Sequence, residues 1–353
     1  MDTPPSSNRF VTSLTIVAFS LLTFAVVVHL LESFQAVLQP LLVAQLLTFV
    51  LMPAVQWLQS RGVPALLAYL LLIALAGLIL FGLGQLLASS ARGFEQRLPE
   101  YEAKIDDLTA RAVTLVPSLA GQESSVEKRV GNFGSMLGKS LGNAVGLLAF
   151  VLVVLINLVF LAAEQTHFQN RVREWFTDTR ASQILAAVDQ INLSIGRYLG
   201  VKIISSLITG VLTGGALGLL GVDFAVLWGL VAFLANFVPY LGPLLTVAPP
   251  MLLSLVQPFE THLMPLWVFL ALVGIQTLTA LAFETVLMGN KLNLSPLVII
   301  LSLGFWGQVW GVVGMILAVP LMVVVKTLLD TVPETKFLAA LMSKPGPARP
   351  NVM

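Results

Sequence analysis

Uncharged apolar runs alternate with short polar ones along almost the whole chain. The stretches between Arg9 and Glu32, between Glu32 and Arg61, and between Arg61 and Arg92 hold no charge. Each exceeds the ~20 apolar residues that carry a helix through hydrocarbon. They predict three membrane helices, the second carrying Pro40 and Pro53. A fourth is expected between Lys139 and Glu164, a fifth between Lys202 and Asp223, and a seventh between Glu260 and Glu284. The first run, 10–31, is longer than the roughly 7–15-residue core of a signal peptide, so it reads as a retained helix.

Two stretches are patterned differently. Phe94, Leu98, Tyr101, Ile105, Leu108, Ala112 and Leu115 recur at alternating spacings of four and three, the seam of an amphipathic helix. Pro99 suits a first turn, so the regular helix is expected to start there. Val126, Val130, Phe133 and Leu137 form a second stripe after Pro117. The pair predicts an extramembrane helical hairpin. Its apolar faces pack on each other or on the protein, with an oligomer contact as the alternative. The other polar stretch, 164–197, carries Arg171, Arg173, Arg180 and Arg197. Excess Lys and Arg marks cytoplasmic loops. That places 164–197 inside, 91–139 outside and both termini inside. The expected division is an N-terminal three-helix segment 1–90, a periplasmic helical arm 91–139, a fourth membrane helix 140–163, a cytoplasmic basic linker 164–197, a C-terminal membrane domain 198–328 and a cytoplasmic tail 329–353.

The apolar runs of the second half contain their own interruptions. Between Asp223 and Glu260 the uncharged stretch is too long for one straight span, and Asn236-Phe237-Val238-Pro239-Tyr240-Leu241-Gly242-Pro243 breaks it. Pro239 and Pro243 remove backbone donors, and Gly242 permits unusual dihedrals. The pattern is compatible with one bent span over 224–257, with a re-entrant hairpin, or with an interfacial loop. A second break is expected at Gly304-Phe305-Trp306-Gly307-Gln308-Val309-Trp310-Gly311. It would make 296–303 a short re-entrant arm and 312–325 the final helix or part of it. Alternatively, these Trp residues sit at the headgroup level. Broken helices expose dipole ends and carbonyls to substrates in many secondary transporters.

Composition changes this picture only by confirming the solvent. The chain has 353 residues, 57% hydrophobic and 10% charged, against the ~25% charged residues of a soluble domain. A net charge of +1 argues against a nucleic-acid partner. With no Cys, disulfides and thiolate chemistry are excluded. No HExxH, GxSxG or P-loop occurs, and the three His show no ligand spacing. The chain therefore reads as neither an enzyme nor a binder of cofactor or metal. Ionisable and polar groups in apolar runs then carry the functional expectation. Glu284 and Gln276 stand out, whereas Asp223 reads as a helix cap. With the broken segments they give the candidate path or gating set: Asn236, Pro239, Tyr240, Gly242, Pro243, Gln276, Glu284, Pro296, Gly307 and Gly311.

Three blocks of the second half resemble one family. They are Ile195-Gly196-Arg197-Tyr198-Leu199 through Leu220-Gly221-Val222; Phe237-Val238-Pro239-Tyr240-Leu241-Gly242-Pro243; and Gly289 through Leu294-Ser295-Pro296-Leu297, Phe305-Trp306-Gly307, Trp310-Gly311 and Gly314-Met315 to Ala318-Val319-Pro320. In this order they resemble the AI-2E (autoinducer-2 exporter) transporter family, which includes PerM-like permeases. The resemblance implies an all-α, polytopic membrane protein with about eight membrane segments, set in the bacterial inner membrane as a homo-oligomer, with a pentamer as candidate state. It further implies export of a small polar solute such as AI-2, or alternatively Na+(Li+)/H+ antiport. Thr279, Leu281 and Thr285 stand where the resemblance leads to Glu, Asn and Pro, which weighs against an acidic coupling site. A non-transporting scaffold is the third reading.

Overall fold

The structure, a computed structural model, describes residues 6–115, 144–257, 263–285 and 293–344. Among these residues every regular element is helical: α1 (Ser6–Ser33), α2 (Gln35–Ser60), α3 (Ala65–Leu115), α4 (Ala144–Trp175), α5 (Asp178–Leu219), α6 (Ala225–Ala235), α7 (Leu241–Val256), α8 (Met264–Thr279), α9 (Pro296–Thr331) and α10 (Lys336–Leu341). Six of the described helices are long and apolar enough to cross a membrane. Phe19, Leu78 and Phe160 are among many large apolar side chains turned outward, each more than 60% exposed. Such a surface needs lipid as its solvent. The chain is a polytopic all-α membrane protein. It divides into two compact units, Leu46–Asn293 and Met1–Gln45 with Leu294–Met353.

In the Leu46–Asn293 unit, α3 runs from Ala65 to Leu115 with Pro99 inside it. No new helix starts at that proline. The third membrane helix and the amphipathic segment are one rod, ~75 Å long at 1.5 Å per residue. Pro99 is exposed, so the carbonyl it leaves unpaired can turn to water, and the interruption is tolerated. The second stripe from Val126 to Leu137, Glu260, Lys291 and the tail from Pro345 lie outside the described residues.

The stretch 224–257 is a helical hairpin. α5 ends at Leu219, and the chain reverses through Gly221 and Phe224, both in the left-handed region at φ 69° and 58°. α6 then returns along α5. A Cβ on Gly229 would lie 2.8 Å from the Gly210 oxygen and 3.0 Å from Gly214 Cα, so backbone meets backbone where the helices cross. After a turn at 236–240, α7 comes back. The Asp223 backbone N–H donates to Gln257 Oε1 at 2.9 Å, and Gln257 Nε2 donates to the Gly221 carbonyl at 2.8 Å. Both ends of the hairpin therefore lie side by side. The 11 residues of α6 reach ~16 Å, about half a hydrocarbon core.

In the other unit, α9 also doubles back. Ser302 Oγ donates to the Ala318 carbonyl at 3.1 Å, although sixteen residues of straight helix would separate them by ~24 Å. The reversal sits at Gly311, with φ 62° and ψ −143°. Its arms are 296–310 and 312–331, and Gly314 packs directly on the Trp306 carbonyl. The break expected from sequence is thus confined to one residue. Trp306 and Trp310 are buried, their rings 4.7 Å apart. Trp310 Nε1 donates to the Leu31 carbonyl at 3.0 Å, and Gln39 Nε2 donates to the Trp310 carbonyl at 3.4 Å. These indoles pack inside the unit instead of facing headgroups.

Gly311 holds a conformation that side chains strongly disfavour, so Gly311→Ala is expected to cost about 1–3 kcal/mol. Gly314→Val, which drives a branched side chain into the Trp306 carbonyl, should cost more and lower the folded yield. Thermal unfolding followed by size-exclusion chromatography in detergent measures both.

Candidate functional site

α5 is apolar along most of its membrane length, but one face is not. Lys202, Ser205, Ser206, Thr209 and Thr213 line it at helical spacing, and all are at most 3% exposed. In hydrocarbon such groups must find partners within the protein. Thr209 Oγ1 donates to the Ser205 carbonyl at 2.8 Å. Asn236 Nδ2 donates to Ser206 Oγ at 3.1 Å and to Ser205 Oγ at 3.4 Å. The tip of the hairpin is thereby docked on the polar face of α5. On α7, Thr246 is buried and donates to the Gly242 carbonyl at 2.9 Å.

The tip is tightly built. Gly242 packs directly on the Ala235 carbonyl, leaving no room for a Cβ. Tyr240 sits at φ 62°, ψ −42°, a conformation that costs a non-glycine residue about 1–3 kcal/mol. Asn236 and Gly242 are buried, Pro239 is half-buried, and Tyr240 and Pro243 are exposed.

α8 starts beside the end of α5, where Val268 and Leu272 share an apolar cluster with Leu217, Trp228 and Leu253. It runs back along α5, and so does the π-helical turn Ala280–Thr285 that follows it. This direction carries Gln276 and Thr279 alongside the polar face. Thr279 is buried and donates to the Ile275 carbonyl at 2.8 Å. Glu284 lies in the π-helical turn; its side chain is outside the described residues. π-helical turns frequently mark functional positions.

The sequence candidates thus fall into separate groups. Asn236, Pro239, Tyr240, Gly242 and Pro243 share one turn, and Gln276 and Glu284 lie on α8 and its extension. Pro296, Gly307 and Gly311 belong to the other unit. There Gly307 faces Met315 near the Gly311 reversal, while Pro296 is at the far end of its arm. Sequence reasoning missed Lys202, Ser205, Ser206, Thr209 and Thr213. Their helical spacing was the available signal.

The base of the hairpin is held by the α3 extension. Asp223 does not cap α6, whose N-cap is Phe224. Its Oδ2 instead accepts from Arg97 Nη1 at 2.6 Å and from Tyr101 Oη at 2.7 Å, both on the extension of α3. Tyr101 is 3% exposed. Burial, and then the Asp223 carboxylate, hold its phenol well above the usual range. Because the folded-state value is raised, the stabilisation is present below about pH 10, the ordinary tyrosine value, and fades as pH rises past it.

Tyr101→Phe should therefore cost ~1.5–3 kcal/mol at pH 7, the worth of a hydrogen bond to a charged group. Its deficit against wild type should shrink by pH 11, as read by thermal unfolding in detergent. Asn236→Leu, which strips the tip of both α5 contacts, is expected to cost ~1–3 kcal/mol in the same assay.

The family model described as AI-2E family transporter matches residues 14–334. A Borreliella burgdorferi protein, provisionally named a transport protein, is 29% identical over 311 residues, covering 87% of this chain and 85% of its own. The protein YhhT of Escherichia coli (strain K12), also provisionally named for transport, is 30% identical over 318 residues, 88% of each chain. The AI-2 transport protein TqsA of the same strain is 28% identical over 312 residues, covering 87% of this chain and 89% of its own. The match spans all the apolar helices, both doubled-back segments and the α3 extension, and the chain belongs to the AI-2E transporter family.

Proposed function

We propose that this protein exports a small polar solute across the bacterial inner membrane by alternating access around its re-entrant hairpin. The observation that carries the reading is Asn236, buried at the hairpin tip and hydrogen-bonded to Ser205 and Ser206 on α5. A membrane anchor needs no such contact. Buried polar groups on opposed, interrupted helices are the usual lining of a solute path. Asn236, Pro239, Tyr240, Gly242 and Pro243 form the moving tip, and Gln276 faces the solute. Glu284 serves as a proton or cation site or as a gate charge. Pro296, Gly307 and Gly311 gate through the α9 hairpin. The cargo proposed is AI-2, on the strength of TqsA's name. Transport is passive or driven by a gradient. Both termini are cytoplasmic, and the working state is a homo-oligomer in the bilayer, with a pentamer as the candidate.

Flux in sealed proteoliposomes tests this. AI-2 efflux well above that of empty vesicles is expected, and its absence sinks the reading. Sodium uptake under a pH gradient, measured in parallel, distinguishes antiport. If antiport operates, Glu284→Gln should abolish its pH dependence; a pH profile unchanged by the substitution removes Glu284 from coupling.

A further inference from the structure

Three polar atoms of the Leu46–Asn293 unit are buried without a hydrogen-bond partner among the described residues: Thr213 Oγ1, Trp228 Nε1 and Gln276 Nε2. Thr213 is 0% exposed and Trp228 4% exposed. Orphaned groups of this kind are rare in native proteins and call for an occupant. These three come from α5, α6 and α8, yet they converge on one level. Leu217, Trp228 and Leu272 belong to one apolar cluster. α5 and α8 run in opposite directions past it. One turn from Leu217 towards the hairpin tip is Thr213, and one turn from Leu272 in the same direction is Gln276. Trp228 is the neighbour of Gly229, which lies against Gly210 and Gly214, on either side of Thr213 in sequence.

Two of the three can act only as donors. An indole N–H and an amide NH2 only donate, and a threonine hydroxyl can donate. The indole and the amide NH2 present hydrogens to an oxygen acceptor and the wrong end of the dipole to a metal cation, and the threonine hydroxyl can donate to the same acceptor. The position also continues the polar face of α5 one turn beyond Thr209. We propose that Thr213, Trp228 and Gln276 bind the acceptor oxygens of a small neutral or anionic solute, and disfavour Na+ and Li+, on the pathway proposed above. The site rests on that reading and narrows its substrate class.

The test uses the full chain in proteoliposomes, with AI-2 as probe and radioactive sodium as the control. Thr213→Val keeps the side-chain shape and removes the hydroxyl. Gln276→Leu removes the amide. Each should raise the KM for AI-2 about tenfold, the worth of one hydrogen bond. Their melting temperatures in detergent should hold or rise, because no bond within the protein is lost. Tryptophan emission should respond to AI-2 in the wild type and lose that response in Trp228→Phe. An unchanged KM in both variants, with wild-type AI-2 flux intact, assigns the three atoms to enclosed water and overturns the site alone. A lowered melting temperature in Thr213→Val shows the hydroxyl already bonded within the protein, and it too overturns the site alone. Sodium flux that falls in the variants while AI-2 flux does not overturns the acceptor assignment. Wild-type vesicles that carry no AI-2 overturn the pathway, and this site with it.

Discussion

Hydrocarbon offers no hydrogen-bond partner to a peptide group, and the interrupted half of this chain is arranged around that demand. A helix that stops partway through a bilayer must bury its loose end in protein. At the tip between α6 and α7 this is done by pressing the turn against α5, where Asn236 reaches two serine hydroxyls. At Gly311 the two arms of α9 satisfy each other, with Ser302 bonded to Ala318 across the reversal. The polar face of α5 follows from the same demand. Thr209 returns its hydroxyl to a carbonyl of its own helix, and Ser205 and Ser206 meet the hairpin, so they can lie in an apolar setting without large penalty.

Close approach makes these solutions possible. Gly210, Gly214 and Gly229 let α6 lie on α5 with no side chain between them. Gly242 and Gly314 do the same within the two hairpins, each lying against a carbonyl of the preceding arm, those of Ala235 and Trp306. Small residues bring helices together in membranes because dispersion and backbone contacts replace the hydrophobic drive that lipid removes. The strained backbone at Tyr240 is held by this packing; without it, such a conformation would relax.

Apolar spacing between charges makes the membrane helices and both interruptions legible in the sequence. The resolution of those interruptions is not legible there. The run 224–257 is equally compatible with a bent span and a hairpin, because the deciding contact joins Gln257 to Gly221 and Asp223 and leaves no periodic trace. Pro99 misleads as a start signal, since local propensity cannot register that the proline lies on an exposed face of a helix that continues through it. Asp223 resembles a cap in sequence because its partners, Arg97 and Tyr101, are more than a hundred residues away. Among the candidate residues, Asn236 and Gln276 stand out as lone polar positions in apolar runs. The α5 face does not, because serine and threonine are unremarkable singly and acquire meaning only when the helix aligns them.

The clasp at Gly221, Asp223 and Gln257 sets how the hairpin can move. A segment that begins and ends at the same point resembles a leaf hung on one edge. Release of its tip from Ser205 and Ser206 would neither stretch nor slacken either connection to the chain. The edge itself is tethered, through Arg97 and Tyr101, to the α3 rod. Force applied along that rod would arrive at the hinge line rather than at the tip. That hinge line adjoins the cluster that holds Tyr101, Leu217 and Trp228, at the opposite end of the hairpin from Asn236.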